Sequence, residues 1–94
     1  MKYNQKYSTE LVALLSKTAA DKKLLNLFLK DLLTPKEYKE LAIRWQIIKK
    51  LDARVTQRNI AEDLGVGIAT VTRGSRELSN PKGGFAQVLK RNKK

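Results

Sequence analysis

The segment Thr56–Leu78 constrains the fold of this 94-residue chain more than any other part of it. Ile60, Ala61 and Leu64 follow one another at i, i+1 and i+4, which places them on one face of a first short helix. Gly65 comes next, where a reversal of the chain needs a positive φ that glycine adopts without a steric penalty. The first half of the segment therefore predicts a helix that ends in a tight turn.

The second half of the segment predicts another short helix. Ile68, Val71 and Leu78 give it a buried side. The polar residues that fall elsewhere on its surface carry short hydroxyls or guanidinium groups: Thr70, Thr72, Arg73 and Arg76. This spacing is typical of a helix-turn-helix whose second helix faces a DNA groove. Two core helices that happen to meet at a glycine are the structural alternative.

The charge of the chain favours a polyanionic partner. It carries 20 Lys and Arg against 9 Asp and Glu, a formal net charge of +11, and most of the excess falls after residue 40. Nucleic acid is the first candidate partner, which with a helix-turn-helix means double-stranded DNA, and a solvated basic surface is the alternative. The length predicts a single domain over residues 1–94, and a domain of this size gains from burying further surface against a partner chain.

Several classes of function lack the residues they need. The chain has no Cys and no His, which removes disulfides, thiol nucleophiles and the commonest metal ligands, and the scattered carboxylates form no clear pair. We therefore expect no enzyme, no metal and no cofactor. No apolar run approaches the ~20 residues of a membrane span, and the N-terminus lacks the apolar stretch of a signal peptide, so a cytoplasmic protein without a membrane partner is expected.

The N-terminal third predicts two helices. Residues 1–7 are polar and basic and predict a flexible arm, after which Ser8 or Thr9 can cap a first helix. Asp21 is expected to cap a second helix over residues 22–33. The apolar residues of this second helix cover more than one face, which favours a homodimer in which it packs against the partner chain. Burial in the centre of a six-helix monomer is the alternative.

The clearest local signal is the start of the third helix. In Thr34-Pro35-Lys36-Glu37, Thr34 caps, Pro35 takes the first helical position and Glu37 completes a capping box. The helix is expected to run to about Leu51. Its apolar stripe consists of Tyr38, Leu41, Ala42, Trp45, Ile48 and Leu51, widened by Ile47.

The C-terminal part predicts one more helix. Residues 79–84 form a loop by composition, and Phe85, Val88 and Leu89 suggest a short closing helix. Residues 90–94 are expected to form a loose basic tail. The fold class is therefore all-α, with about six helices and a helix-turn-helix over residues 56–78.

The sequence resembles the tryptophan operon repressors. The likeness covers about residues 28–78 and is most specific in LLTP, in Arg44, in TQR at the head of the helix-turn-helix and in GIATVTRGS. The resemblance implies an intertwined, all-helical homodimer whose two reader helices enter successive major grooves of a two-fold pseudo-symmetric operator. The half-sites documented for such proteins lie about one turn, ~34–36 Å, apart.

The resemblance also implies which residues meet DNA and a corepressor. The implied DNA-binding residues are Gln57, Arg58, Gly67, Ile68, Ala69, Thr70, Thr72, Arg73 and Arg76. In the family the corepressor is L-tryptophan, and the residues implied to form its site are Leu33, Thr34, Arg44, Arg73, Gly74 and Glu77. Among these, Arg44 would pair with the ligand carboxylate, Arg73 would lie over the indole, and the Leu33 carbonyl would come from the other chain.

Three positions depart from the family pattern. Glu77 stands where a small serine is usual, and its carboxylate either attracts the ligand ammonium or pairs with Arg73 and fills the pocket. Trp45 stands where an aliphatic residue is usual, and the connection before Thr56 is one residue shorter. The leading hypothesis is a sequence-specific transcriptional repressor of genes for tryptophan biosynthesis or transport. The alternatives are a ligand-independent regulator of the same fold, a sigma-factor-like promoter-binding module and a sequence-indifferent coating protein.

Overall fold

The structure, a computed structural model, describes residues 1–93, and Lys94 lies outside them. Residues 1–93 form six α-helices and no strand, which confirms the predicted all-α class with a helix-turn-helix. The helices are α1 (Gln5–Thr18), α2 (Lys22–Leu32), α3 (Pro35–Asp52), α4 (Gln57–Leu64), α5 (Ile68–Leu78) and α6 (Gly84–Asn92). The chain divides into two compact units, Met1–Tyr38 and Lys39–Lys94, and a single domain over residues 1–94 stays a prediction.

Helix α1 begins earlier than expected. Asn4 is its N-cap and accepts a hydrogen bond from the Lys6 N–H at 2.9 Å, so the predicted caps Ser8 and Thr9 are wrong and residues 5–7 of the predicted arm are helical. The ring of Tyr3, just before the cap, meets the ring of Tyr7 edge-on, with centroids 6.5 Å apart. This contact across the cap favours the earlier start.

The predicted caps at the starts of α2 and α3 are both present. The Leu24 N–H donates to Asp21 Oδ1 at 3.1 Å and begins α2. The Thr34 N–H donates to Glu37 Oε1 at 2.8 Å while the Glu37 N–H donates to Thr34 Oγ1 at 3.2 Å, which confirms the capping box. The backbone N–H of Thr34, followed by its hydroxyl, lowers the pKa of Glu37 because both interactions favour the carboxylate.

The first unit leaves much of its apolar surface uncovered. Neither α1 nor α2 contains a buried residue. Leu24 and Leu27 on α2 are 48 % and 61 % exposed, and Val12 on α1 is 63 % exposed. Burial in the centre of this single chain is therefore wrong for α2.

The second unit has a core where α3, α4 and α5 meet. Ile47, Ile60 and Val71 are buried there, with partly buried apolar side chains packed around them: Ile43, Leu51, Val55, Ala61, Leu64 and Val66. The α3 stripe thus differs from the predicted one, because Ile43 joins the core and Leu41 is 44 % exposed. Ile68 was expected on the buried side of α5 but is 53 % exposed, since it opens the helix one turn before Val71.

The turn of the helix-turn-helix has the predicted geometry. Thr56 caps α4 by accepting from the Asn59 N–H at 3.2 Å. Gly65 ends α4 at φ 64°, and its N–H and that of Val66 return to carbonyls of the last turn. Val66 packs on the core and fixes the entry into α5.

The connection from α3 to α4 contains a strained residue. Arg54 has φ 66°, the left-handed region that glycine usually occupies. The Arg54 N–H donates to the Leu51 carbonyl at 2.9 Å, and the Val55 N–H donates to the Lys50 carbonyl at 3.0 Å. This pair of bonds is a Schellman ending, which turns the chain within few residues and delivers Val55 to the core.

Helix α6 confirms the predicted closing helix and takes up part of the predicted tail. Leu89 is buried, and Lys90–Asn92 are helical rather than loose. The Lys93 ammonium lies 3.1 Å from Asp52 Oδ1, which offsets a negative charge at the C-terminal end of α3. Lys94, the last residue of the predicted tail, lies outside the described residues.

Candidate nucleic-acid interface and ligand cleft

Helix α5 has one buried side and one exposed side. Val71 is buried against α3 and α4, while Ile68, Ala69 and Thr70 are exposed at the start of the helix. Gly67 is the N-cap of this helix and is also exposed. The first turn of α5 is therefore free of the core and presents one large apolar side chain and two small ones outwards.

The cationic residues of the helix-turn-helix are exposed. Arg58 lies in the first turn of α4, and Arg73 and Arg76 lie in the second half of α5. Each helix of the motif thus carries at least one exposed cationic side chain, which suits contacts to a phosphate backbone, although α4 also carries Glu62 and Asp63.

A side-chain hydrogen bond joins the two helices of the motif. The Thr72 hydroxyl donates to Gln57 Oε1 at 2.7 Å, and both residues are half-buried. The sequence placed both residues among those that meet DNA, whereas this bond between them was not foreseen.

Arg73 is engaged on its own helix. Its Nε donates to Glu77 Oε1 at 2.8 Å, and the two side chains are 70 % and 46 % exposed. Surface pairs of this kind add only about 0.2–1 kcal/mol to stability. The consequence of the pair is therefore local: it places a carboxylate beside Arg73 and partly offsets the charge of its guanidinium.

An open cleft of about 960 Å³ lies beside this ion pair, within the second unit. Its walls are Trp45 of α3, Arg73 and Glu77 of α5, and Phe85 and Val88 of α6, completed by Arg76, Asn80, Gly83 and Gly84. Aromatic walls with a few charged groups are typical of small-molecule sites. Trp45 was interpreted mainly as a core residue, yet it is half-buried and lines this cleft.

The residues implied to bind a corepressor are only partly brought together. Arg73 and Glu77 line the cleft, whereas Arg44 is exposed on α3 beside Trp45 and is not among the lining residues. A Cβ placed on Gly74 would lie 3.1 Å from Ile47 Cγ2, so this glycine allows α5 to pack closely on α3. The other two belong to the first unit: Leu33 ends α2, and Thr34 caps α3.

Sequence reasoning missed the contribution of α6 to the cleft. Phe85 was expected to dock on the core, but it lines the cleft together with Val88, three residues later on the same helix. The i, i+3 spacing of these two apolar residues was the available signal. This spacing places the two side chains on one face of α6, but it does not show which other helices lie opposite that face.

Residues 1–93 show neither a cluster of potential metal ligands nor a helix that could span a membrane. Within this range no three His, Cys, Asp or Glu side chains are grouped to hold a metal ion. Among the six helices, none is both long and apolar enough to cross a bilayer.

Comparison with known proteins agrees with the helix-turn-helix architecture. The model of the family described as "Trp repressor protein" matches residues 7–93. A "Trp operon repressor homolog" of Photobacterium profundum is 44 % identical over 72 residues, which are 76 % of this chain and 69 % of the relative. The homolog from Vibrio cholerae is 40 % identical over 80 residues, covering 80 % of this chain and 78 % of the relative. The homolog from Chlamydia trachomatis is 42 % identical over 69 residues, covering 68 % and 73 %. The family match spans nearly the whole chain, and the chain therefore belongs to the Trp repressor family.

Proposed function

We propose that this member of the family is a sequence-specific, DNA-binding transcriptional repressor that acts as a homodimer. The observation that carries the proposal is the exposed face of α5, held on the buried contact of Val71 with Ile60 and Ile47. A helix fixed in this way can enter a major groove without the motif rearranging. Bound at a promoter, the dimer would exclude polymerase from the same DNA.

The residues proposed to meet DNA have distinct roles. Arg58 supplies positive charge from α4, and Arg73 and Arg76 supply it from α5. The residues at the start of α5 approach base edges, and the smaller ones leave room for bridging waters, which are documented for this family. They are Gly67, Ile68, Ala69 and Thr70, joined by Gln57 and Thr72 at the contact between the helices.

The proposal of a homodimer rests on the first unit. Leu24, Leu27 and Leu32 of α2 are 48 %, 61 % and 45 % exposed, and α1 and α2 have no buried residue of their own. Covering this surface with a second copy removes apolar area from water.

L-tryptophan is the proposed corepressor, with genes of tryptophan biosynthesis or transport as targets. Arg44 would meet the carboxylate, Arg73 would lie over the indole and Glu77 would meet the ammonium, beside Gly74 and Thr34 and with the Leu33 carbonyl from the second chain. The ligand would act by binding the DNA-competent arrangement more tightly than other arrangements.

A ligand-independent repressor of the same fold is the second candidate. Two observations favour it: Arg73 is already paired with Glu77, and the indole of Trp45 lines the same cleft. A carboxylate and an aromatic ring of the protein itself would then take the place of the ligand.

A selection experiment tests the proposed function. Wild-type protein is incubated with a pool of duplexes containing a randomised region, with and without L-tryptophan in large excess over the protein, and bound duplexes are amplified and sequenced. We expect one sequence family with two-fold symmetry to be enriched. Enrichment only with L-tryptophan supports the corepressor, equal enrichment without it supports the second candidate, and no enrichment contradicts sequence-specific binding.

A further inference from the structure

The hydrogen bond between Gln57 and Thr72 determines whether the Thr72 hydroxyl can donate a further hydrogen bond or can only accept one. It spans 15 residues of sequence and joins the first residue of α4 to the middle of α5. Both side chains are half-buried, so water competes for the bond less than at an exposed site.

The paired atoms are the Thr72 hydroxyl oxygen and Gln57 Oε1, 2.7 Å apart, a usual separation for O–H···O. An amide oxygen can only accept, so Thr72 donates and the Gln57 carbonyl oxygen accepts. A threonine hydroxyl has a single hydrogen, so Thr72 keeps only acceptor capacity, while the Gln57 amide keeps two N–H donors.

We infer that Gln57 is a positioning residue that makes the Thr72 hydroxyl a hydrogen-bond acceptor toward DNA. This inference rests on the proposed DNA binding. Phosphate oxygens only accept hydrogen bonds, so Thr72 is unsuited to them. In the major groove the base-edge donors are the exocyclic amino groups of adenine and cytosine. In a direct contact Thr72 thus selects an amino group, and the Gln57 amide suits a phosphate.

Two substitutions of Gln57 separate the effect of the Thr72 hydrogen-bond direction from the effect of added charge. The ammonium of Gln57→Lys can only donate, so it releases the hydroxyl hydrogen of Thr72 and reverses its polarity. We expect tighter binding to random duplex, from the added charge, but a preference for the enriched duplex that falls about fivefold, the equivalent of one net hydrogen bond. The carboxylate of Gln57→Glu still accepts from Thr72, so the preference should persist while binding to both duplexes weakens similarly.

Variants of the hydroxyl itself complete the test. Thr72→Val should lower the preference about fivefold, and Thr72→Ser should restore it. Because one bond is shared, the double variant Gln57→Lys with Thr72→Val should lose little more than either single variant. The matched control combines Gln57→Lys with Thr70→Val on the same helix, for which the losses should add. Circular dichroism of each variant checks that the helices are retained.

The readout is the ratio of dissociation constants for random and enriched duplex at one salt concentration. A Gln57→Lys variant that keeps the wild-type ratio, or Gln57 and Thr72 losses that add, would overturn the inference while leaving the proposed function intact. Wild-type protein that enriches no sequence would overturn both. The inference would be established if Gln57→Lys lowers the ratio of dissociation constants about fivefold and Gln57→Glu keeps the wild-type ratio.

Discussion

At the scale of single residues, the backbone of Arg54 gives the sharpest prediction. A residue with a Cβ in the left-handed region is strained by about 1 kcal/mol, and glycine is not. Arg54→Gly should therefore raise the free energy of unfolding by about that amount, measured in urea at fixed protein concentration. Arg54→Ala removes the same charge but keeps a Cβ, so a stabilisation shared by both variants would show that charge, not strain, was relieved.

At Gly74 we expect that adding a Cβ destabilises the protein. A methyl group there would meet Ile47 Cγ2 at 3.1 Å, and Ile47 is buried. Gly74→Ala should lower the free energy of unfolding by about 1 kcal/mol, because the overlap exceeds the helical gain of alanine. Gly84→Ala is the matched control, since nothing lies within 4 Å of its added Cβ. If both variants behave alike, close packing of α5 on α3 is not the reason for Gly74.

Glu37 predicts a pH dependence of stability. Its pKa is lower in the folded protein, so its stabilising effect is present above the ordinary value of 4.5 and is lost as the pH falls through the lowered pKa. The difference in unfolding free energy between wild type and Glu37→Gln should thus shrink on acidification below 4.5. Urea titrations at several pH values measure it, and a difference that grows toward low pH would contradict the capping box.

At the scale of helices, the ion pair on α5 predicts an effect on DNA affinity. Glu77→Gln releases the Arg73 guanidinium and removes a negative charge from the proposed interface. Binding to random duplex at low salt should tighten several-fold, and the gain should shrink as salt rises. Glu62→Gln makes the same charge change at an exposed position of α4 and controls for net charge. Equal gains in the two variants would show that the Arg73–Glu77 pair has no specific role.

The helix boundaries show what could be read from the sequence. Asp21, Thr34, Thr56 and Gly65 were predicted correctly because each has the side chain or backbone freedom that its position needs. Arg54 was not predicted, because it takes a conformation that its own side chain disfavours and that the Schellman bonds impose. Most helix ends are thus set by the residue at the cap, and the others depend on contacts that a single residue type does not reveal.

The candidate site was less predictable than the helices. Periodicity placed Phe85 and Val88 on one face but could not say that Trp45 and Arg73 would face them, because that depends on how three helices cross. The Gln57–Thr72 bond has the same origin, since it joins side chains of two elements. The residue types at the site were evident from the sequence, whereas their mutual contacts were not.

At the scale of the whole molecule, the exposed leucines of α2 predict self-association. Leu27 is 61 % exposed, and a charge there would be desolvated if a second chain covers it. We expect wild-type protein to sediment as a dimer at micromolar concentration and Leu27→Glu to dissociate or unfold. Lys23→Glu places the same carboxylate at an exposed polar position of the same helix, with a larger change in net charge, and should stay dimeric. A folded wild-type monomer at that concentration would contradict the dimer.

The central claim is that this chain recognises a DNA sequence through α5. The most direct measurement is a fluorescence anisotropy titration of wild-type protein with the enriched duplex and with a shuffled duplex of the same composition, at one physiological salt concentration. The account predicts that the enriched duplex binds at least about 10³-fold more tightly, the lower end for specific regulators. Equal affinities that fall together as salt is raised would contradict it, because charge alone would then account for the binding.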